Sequence, residues 1–227
     1  MHINHKIRII LAVLIVSFLV SSCTKGNNLS GLNYCQELKF DCYNRKILIK
    51  IKTNKGDIFI ELDGENAPLT SGNFINLIQN KYYDNIVINR VIKEPKPFIL
   101  EVGFRTSLNP TKDKTKFYKN KSNYQKSSSS IPLEIRLSGD NEPIYNKLIN
   151  PIEEKKNIVL VHKKGSIAMS RSLALDSANT RFYITLRDAP ELDGRFAVFG
   201  RVIKGMDIVD LLSESDTIIS IKIDEID

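Results

Sequence analysis

The sequence contains no tryptophan, and two of its three histidines, His2 and His5, fall in the first five residues. His162 is left as the histidine of the body of the chain. A zinc or similar centre needs several His, Cys or carboxylate ligands converging on one ion. The histidine supply therefore argues against a His/Cys metal site, and histidine-based catalysis would rest on His162 alone. Cysteine is equally scarce, at Cys23, Cys35 and Cys42. The apolar run 9–20 stops short of the ~20 residues that a membrane-spanning helix requires. Acidic residues are the minority, 26 against 33 basic, for a formal charge of +7. No aromatic-interleaved basic pattern accompanies that excess, so it reads as a solvated basic face that could favour anionic surfaces, and nucleic-acid binding is not indicated.

What is present at the front of the chain concerns its destination. Met1 to Arg8 carries Lys6 and Arg8 and no acid; the apolar run follows, and then Ser21-Ser22-Cys23. A basic start, an apolar centre and small residues before a cut form a secretory signal. Leu19-Val20-Ser21-Ser22-Cys23 resembles a bacterial lipobox. That resemblance implies removal of residues 1–22 and diacylation of Cys23, with the mature protein held on the periplasmic or other extracytoplasmic side of a bacterial membrane. Two acyl chains suffice for stable anchoring where one does not. An ordinary secreted protein with an incidental cysteine, and an uncleaved anchor, are the competing readings. With Cys23 lipidated, Cys35 and Cys42 remain. An even remainder in an exported chain favours a disulfide; two free thiols, or half of a metal site, are the alternatives, although no His or Cys partner lies nearby.

Residues 23–45 read as a tether and 46–227 as one domain. Hydrophobic residues make up 42% of the chain, enough for an ordinary core. Lys46–Ile51 and Asp57–Leu62 are β-rich runs joined at Asn54-Lys55-Gly56, a hairpin signal. Ala67-Pro68 opens a helix that runs to Asn80 with Phe74, Leu77 and Ile78 on one face. Short strands are expected around 86–92, 98–102, 157–161, 166–170, 181–186 and 197–203. A second helix is expected near Gly205, and a last strand at 217–223. Many short strands with two isolated helices indicate a mainly β domain, a closed barrel with helices at its ends. The stretch 109–130 departs from this texture, with six lysines, one aspartate and a closing run of four serines. Such a sequence buries too little to order itself and reads as an insertion, either plainly solvated or contacting anionic surfaces.

Several segments, in order, resemble the cyclophilin family of peptidyl-prolyl isomerases. Ala67-Pro68-Leu69-Thr70 through Asn73-Phe74 is close to the family's A-P-x-T-x-x-N-F. Ile88-Asn89-Arg90-Val91-Ile92 stands where the family reads F-H-R-V-I. Gly165 to Arg171 and Thr180 to Ile184 resemble G-x-x-x-M-A and S-Q-F-F-I, and Leu192-Asp193-Gly194 to Val202 is nearly L-D-G-x-x-x-V-F-G-x-V. The resemblance spans about 46–224. It implies a closed eight-stranded antiparallel β-barrel capped by two α-helices, and a monomer that needs no cofactor and acts on proline-containing polypeptides.

By that resemblance Arg90 matches the catalytic arginine, with Glu101 at the position that orients it. Phe98, Ile99, Tyr183, Leu192 and Phe196 match the proline pocket. Met169, Ser170, Arg171 and Arg181 match the segments that hold the peptide. The departures are numerous. The histidine before the arginine is Asn89, and the orienting glutamine is Glu101, followed by Val102 where a glycine is usual. The second glutamine is Arg181, the backbone-binding asparagine is Arg171, and the late histidine is Phe196. A tryptophan that lines the pocket and contacts cyclosporin is Glu191. Glu101 is the weightiest change, because a carboxylate can either brace Arg90 or consume its donors. Arg171 and Arg181 are the candidates to draw it away. Three functions remain: a weak prolyl isomerase assisting the folding of exported proteins, a catalytically impaired peptide- or partner-binding lipoprotein of the same fold, or a structural envelope protein that uses the barrel as a spacer.

Overall fold

The computed structural model describes residues 35–36, 42–103, 130–154 and 157–224. The signal segment 1–22, Cys23 and all but the last residue of the stretch 109–130 lie outside the described residues.

The architecture starts from alternation. β1 (Lys46–Thr53) and β2 (Asp57–Asp63) bury every second residue: Ile47, Ile49 and Ile51 on one strand, Ile58, Ile60 and Leu62 on the other. A strand whose side chains alternate in this way has one core face. The two strands pair antiparallel from Lys46↔Asp63 to Lys52↔Asp57. At their turn the Thr53 hydroxyl donates to the Gly56 carbonyl at 2.7 Å and accepts from the Lys55 and Gly56 amides. Short strands follow: β3 (Ile86–Val87), β4 (Arg90–Val91), β5 (Ile99–Val102), β8 (Ser166–Met169), β9 (Phe182–Thr185), β10 (Val198–Lys204) and β11 (Thr217–Asp224). Together with the hairpin they form one curled sheet in the order β3-β11-β1-β2-β10-β8-β9-β5-β4.

The sheet has nine strands rather than the eight expected. The extra strand arises because the run 86–92 changes partner midway. Ile86 and Val87 pair with β11, whereas Arg90 and Val91 pair with β5. The segment expected as a strand at 157–161 forms only a bridge between Ile158 and Leu137. Its apolar residues are used differently, Ile158 and Val161 packing with Leu133, Ile135 and Leu137 in a second small core. That core belongs to a two-stranded sheet, β6 (Glu134–Ile135) with β7 (Ile144–Tyr145), which the sequence pattern did not disclose.

Helix α1 (Pro68–Gln79) lies against the main core with Pro at its start, where a missing N–H costs nothing. The Glu134 carboxylate meets that start, accepting from the Leu69 amide at 3.1 Å, the Thr70 amide at 2.8 Å and the Tyr145 hydroxyl at 2.9 Å. The small sheet is thereby fastened to the helix, although burial pushes the Glu134 carboxyl above the usual carboxylate range. In a protein without tryptophan, Phe74 is the aromatic centre of the core, with Tyr83, Phe182 and Phe199 each at 5.1 Å. A one-turn helix, α2 (Pro151–Glu154), a 3-10 turn at Pro190–Leu192 and a short helix, α3 (Met206–Leu211), follow along the chain. Cys35 and Cys42 are disulfide-bonded with Cα atoms 6.0 Å apart. Cys35 is buried among the core residues.

The hairpin turn is also tied to the far end of the chain. Asp216 accepts from the Asn54 side-chain amide at 2.7 Å and from the Ser213 amide and hydroxyl at 2.9 and 2.8 Å. These bonds, that from Asn54 foremost, hold its carboxyl at about 2. An unfolded aspartate takes up its proton near ~3.9, so the stabilisation is complete above that pH and is lost as pH falls toward about 2. Thermal melts between pH 5 and 2 should therefore show a shallower acid decline for Asp216→Asn than for the native chain. Identical declines would refute the assignment.

Candidate active site

Strand register assembles the site. Arg90 pairs with Glu101, Glu101 with Tyr183, Tyr183 with Ala168, and Ala168 with Val198. Directly opposed residues share a face of a sheet, so these five form one row across β4, β5, β9, β8 and β10. The adjacent row, Leu100, Ile184 and Ile167, faces the main core. The site is thus on the opposite, outer face. There Ile99, Ala168, Tyr183 and Val198 form a buried apolar floor, with Ile92, Phe98, Leu160, Leu192 and Phe196 packed half-buried around it. The rings of Tyr183 and Phe196 meet edge-on at 5.9 Å. Five predicted pocket residues, Phe98, Ile99, Tyr183, Leu192 and Phe196, are therefore together. Met169 is not among them, because strand alternation turns it away from its neighbour Ala168 and into the main core.

Arg90 lies at the end of the row, exposed, and among the described residues its guanidinium has no hydrogen-bond or ion-pair partner. Its strand is held from the other edge. The Val91 amide donates to Glu214 at 3.1 Å, and the Lys93 ammonium donates to the Asp210 and Leu212 carbonyls at 2.6 and 2.8 Å.

Glu101, opposite Arg90, is directed elsewhere. One carboxylate oxygen accepts from the Ser170 hydroxyl at 2.6 Å and from Arg181 Nη1 at 3.1 Å. Arg181 therefore neutralises Glu101 and leaves the donors of Arg90 unspent. Arg171 takes no part in this pairing; it donates to the carbonyls of Arg195, Ser172 and Leu173 and lies over the Phe196 ring at 5.0 Å. Burial lowers the pKa of its guanidinium, and the charge of Arg195 acts in the same direction. Val102 is a core residue of β5. The backbone freedom expected of that region falls instead on Gly103, at φ 121°, where a Cβ would sit 2.7 Å from the Arg181 Cα.

The pairing yields a prediction. Removing Arg181 leaves the Glu101 carboxylate buried with Ser170 alone, or free to swing toward Arg90. Arg181→Ala should lower stability by ~1–3 kcal/mol and suppress any activity that uses Arg90. Adding Glu101→Gln should restore much of both, because a neutral amide neither suffers the burial nor captures the guanidinium. Urea melts and peptide turnover on the single and double variants check this; a double variant no better than the single would contradict it.

Residues 48–225 match the family described as Cyclophilin type peptidyl-prolyl cis-trans isomerase/CLD. The chain belongs to the cyclophilin family. It is 29% identical over 175 residues to a peptidyl-prolyl cis-trans isomerase of Acinetobacter baylyi, a match covering 75% of this chain and 73% of that protein. A protein of Synechocystis sp., named as a thylakoid lumen peptidyl-prolyl cis-trans isomerase, is 30% identical over 190 residues. That match covers 77% of this chain but only 46% of the Synechocystis protein, so the chain spans less than half that relative's length. The crystal structure of a Cryptosporidium parvum cyclophilin in the presence of the dipeptide Ala-Pro shares the fold, with a TM-score of 0.53 at 21% identity over 78% of this chain and 99% of that one.

This cyclophilin contains a buried hydrogen-bonded chain that the sequence reading missed. His162, only 2% exposed, joins Asp193 through Nδ1 at 2.8 Å and the Tyr183 hydroxyl through Nε2 at 2.9 Å. Asp193 also accepts from the His162 backbone amide at 2.8 Å. A carboxylate at Nδ1 selects the tautomer with the proton there and leaves Nε2 to accept from the tyrosine. Burial lowers the His162 pKa despite the raising influence of Asp193, and burial drives that of Tyr183 well above the usual phenol value. The signal was available, since a tyrosine stands where the family motif has phenylalanine and a buried hydroxyl requires a partner. On the rim, Glu191 is paired with Arg187, whose guanidinium lies over Phe98 at 5.1 Å. The tryptophan position is thus filled by an ion pair that roofs the neighbouring ring.

Proposed function

We propose that this cyclophilin is a peptidyl-prolyl cis-trans isomerase acting on exported polypeptides and anchored by lipid at Cys23. The observation that carries the catalytic part is the arrangement of the arginines. Arg90 stands unpaired among the described residues, beside an apolar floor, because Arg181 holds Glu101. Rotation about an X–Pro bond meets a barrier of ~18–20 kcal/mol set by amide resonance. It needs no nucleophile or proton relay. The floor formed by Ile99, Tyr183 and Phe196 would grip the proline ring, and the Arg90 guanidinium would donate to the amide nitrogen as twisting returns its lone pair. Such a donor accelerates only because it suits the twisted amide better than the planar one. Ser170 and Arg181 act here by holding Glu101 away from Arg90.

The extracytoplasmic setting is supported by the basic start, the apolar run and the lipobox of residues 1–23, and by the lumenal name of the Synechocystis relative. Among the described residues no helix is long and apolar enough to cross a membrane. The second reading, a peptide binder that no longer isomerises, draws on the replacement of both site glutamines by Glu101 and Arg181. Exchange spectroscopy by NMR on X–Pro peptides with the full chain separates the two. Enhanced cis–trans exchange is the expected result, and peptide binding without exchange would overturn the isomerase reading. Labelling with radioactive palmitate in a bacterial host tests the anchor, with Cys23→Ser expected to lose the label.

A further inference from the structure

We propose that the site selects prolyl segments bearing an aspartate or glutamate within one or two residues of the proline, and that Arg171 reads this carboxylate. The inference rests on the prolyl-peptide reading of the same site. Its first support is the fixed position of Arg171. Nε and Nη1 are committed to three backbone carbonyls, and the guanidinium plane lies 5.0 Å from the centre of the Phe196 ring. Among the described residues its second terminal nitrogen makes no hydrogen bond. A guanidinium fixed in this way at the margin of an apolar surface, with Nη2 uncommitted, can donate to a carboxylate at less entropic cost than a mobile lysine would.

Its second support is charge balance. Two of the carboxylates around the floor are ion-paired, Glu101 with Arg181 and Glu191 with Arg187, while Asp193 hydrogen-bonds to the neutral His162 and keeps its charge. Asp176 lies in the loop that follows Arg171 but forms no ion pair with it among the described residues. Arg195, whose carbonyl Arg171 holds, is exposed and likewise unpaired among the described residues, as is Arg90 on the other side of the floor. The apolar surface is therefore bordered by three cations, Arg90, Arg171 and Arg195, that no carboxylate pairs among the described residues.

Geometry sets the reach. The Arg171 guanidinium is 5.0 Å from the Phe196 ring, which is 5.9 Å from the Tyr183 ring. Successive Cα atoms are ~3.8 Å apart. A proline seated on Tyr183 and Phe196 thus brings the side chains one or two positions away to the guanidinium.

The test uses the full chain in a non-ionic detergent and peptides identical except for Glu, Gln or Lys beside the proline. Dissociation constants come from chemical-shift titration, and turnover from exchange spectroscopy. The Glu peptide should bind roughly tenfold more tightly than the Gln peptide at low salt, as one charge-assisted contact implies. The Lys peptide should bind most weakly, and the spread should narrow at high ionic strength. Arg171→Gln should bring the Glu/Gln ratio close to one, and Arg171→Lys should retain part of it. A native ratio near one, or a ratio unchanged in Arg171→Gln, overturns the proposal. Because the ratio is read from binding, it stands or falls separately from isomerisation, which the Gln peptide reports alone.

Discussion

Arg90→Ala is expected to abolish most catalysed X–Pro exchange, lowering kcat/KM by about 100-fold or more, on the scale of losing one preorganised donor to a transition state. The side chain is exposed and unpaired among the described residues, so its removal should change the melting temperature little. Peptide titration should show much the same affinity, because the apolar floor that would grip the proline is untouched. A loss in kcat with Kd retained is the signature of an interaction made mainly with the twisted amide. Arg90→Lys should recover only part of the activity, since an ammonium lacks the fixed fork of a guanidinium. Exchange in Arg90→Ala equal to the native rate would remove Arg90 from the mechanism. An equal fall in affinity would recast it as a binding residue.

His162→Leu should have the largest effect on stability. It leaves the buried Tyr183 hydroxyl without its ring partner and removes one of the two bonds that Asp193 Oδ1 accepts, the other coming from the backbone amide of residue 162. An orphaned buried hydroxyl costs ~1–3 kcal/mol. The melting temperature should fall on the order of 5–10 °C for a domain of this size. Adding Tyr183→Phe removes the orphaned hydroxyl and should recover part of the loss, a coupling that only directly interacting residues display. The pH dependence supplies a separate check. Burial holds the folded His162 pKa below its ordinary value, whereas the unfolded imidazole takes up a proton near ~6.5. The unfolded state therefore gains protons first as pH falls, so the stabilisation is complete above ~6.5 and declines below it. His162→Leu should lack that slope. Equal melting temperatures for the native and Leu chains would show that the hydrogen-bonded chain contributes nothing.

The parts of the fold legible in the sequence were those with local causes. The β1–β2 hairpin followed from two β-rich runs joined by an Asn-Lys-Gly turn, and α1 from its proline and the spacing of Phe74, Leu77 and Ile78. The split of 86–92 was not legible, because which edge each half pairs with depends on strands brought from opposite ends of the chain. Nor was the fate of 157–161, whose apolar residues suit a strand and a packed loop equally well. Within the site, Met169 was misread although strand alternation against Ala168 could have placed it. The sequence offered Arg171 and Arg181 as partners for Glu101, and only the strand register chose Arg181, 80 positions away.

By itself the sequence determined the frame: a mainly β domain of one family, an arginine at 90, and apolar residues of the right kind at 98, 99, 183, 192 and 196. The strands and turns follow from residue types acting between near neighbours, whereas the family and the site positions follow from the resemblance of the ordered motifs. The tertiary structure alone decided how the charges are distributed. Charge pairing depends on distances of a few ångströms between groups remote in sequence, and register across β4, β5 and β9 sets those distances. That register gives Glu101 to Arg181 and Ser170, holds Tyr183 through His162 and Asp193, and leaves Arg90 and Arg171 with charge to offer a peptide.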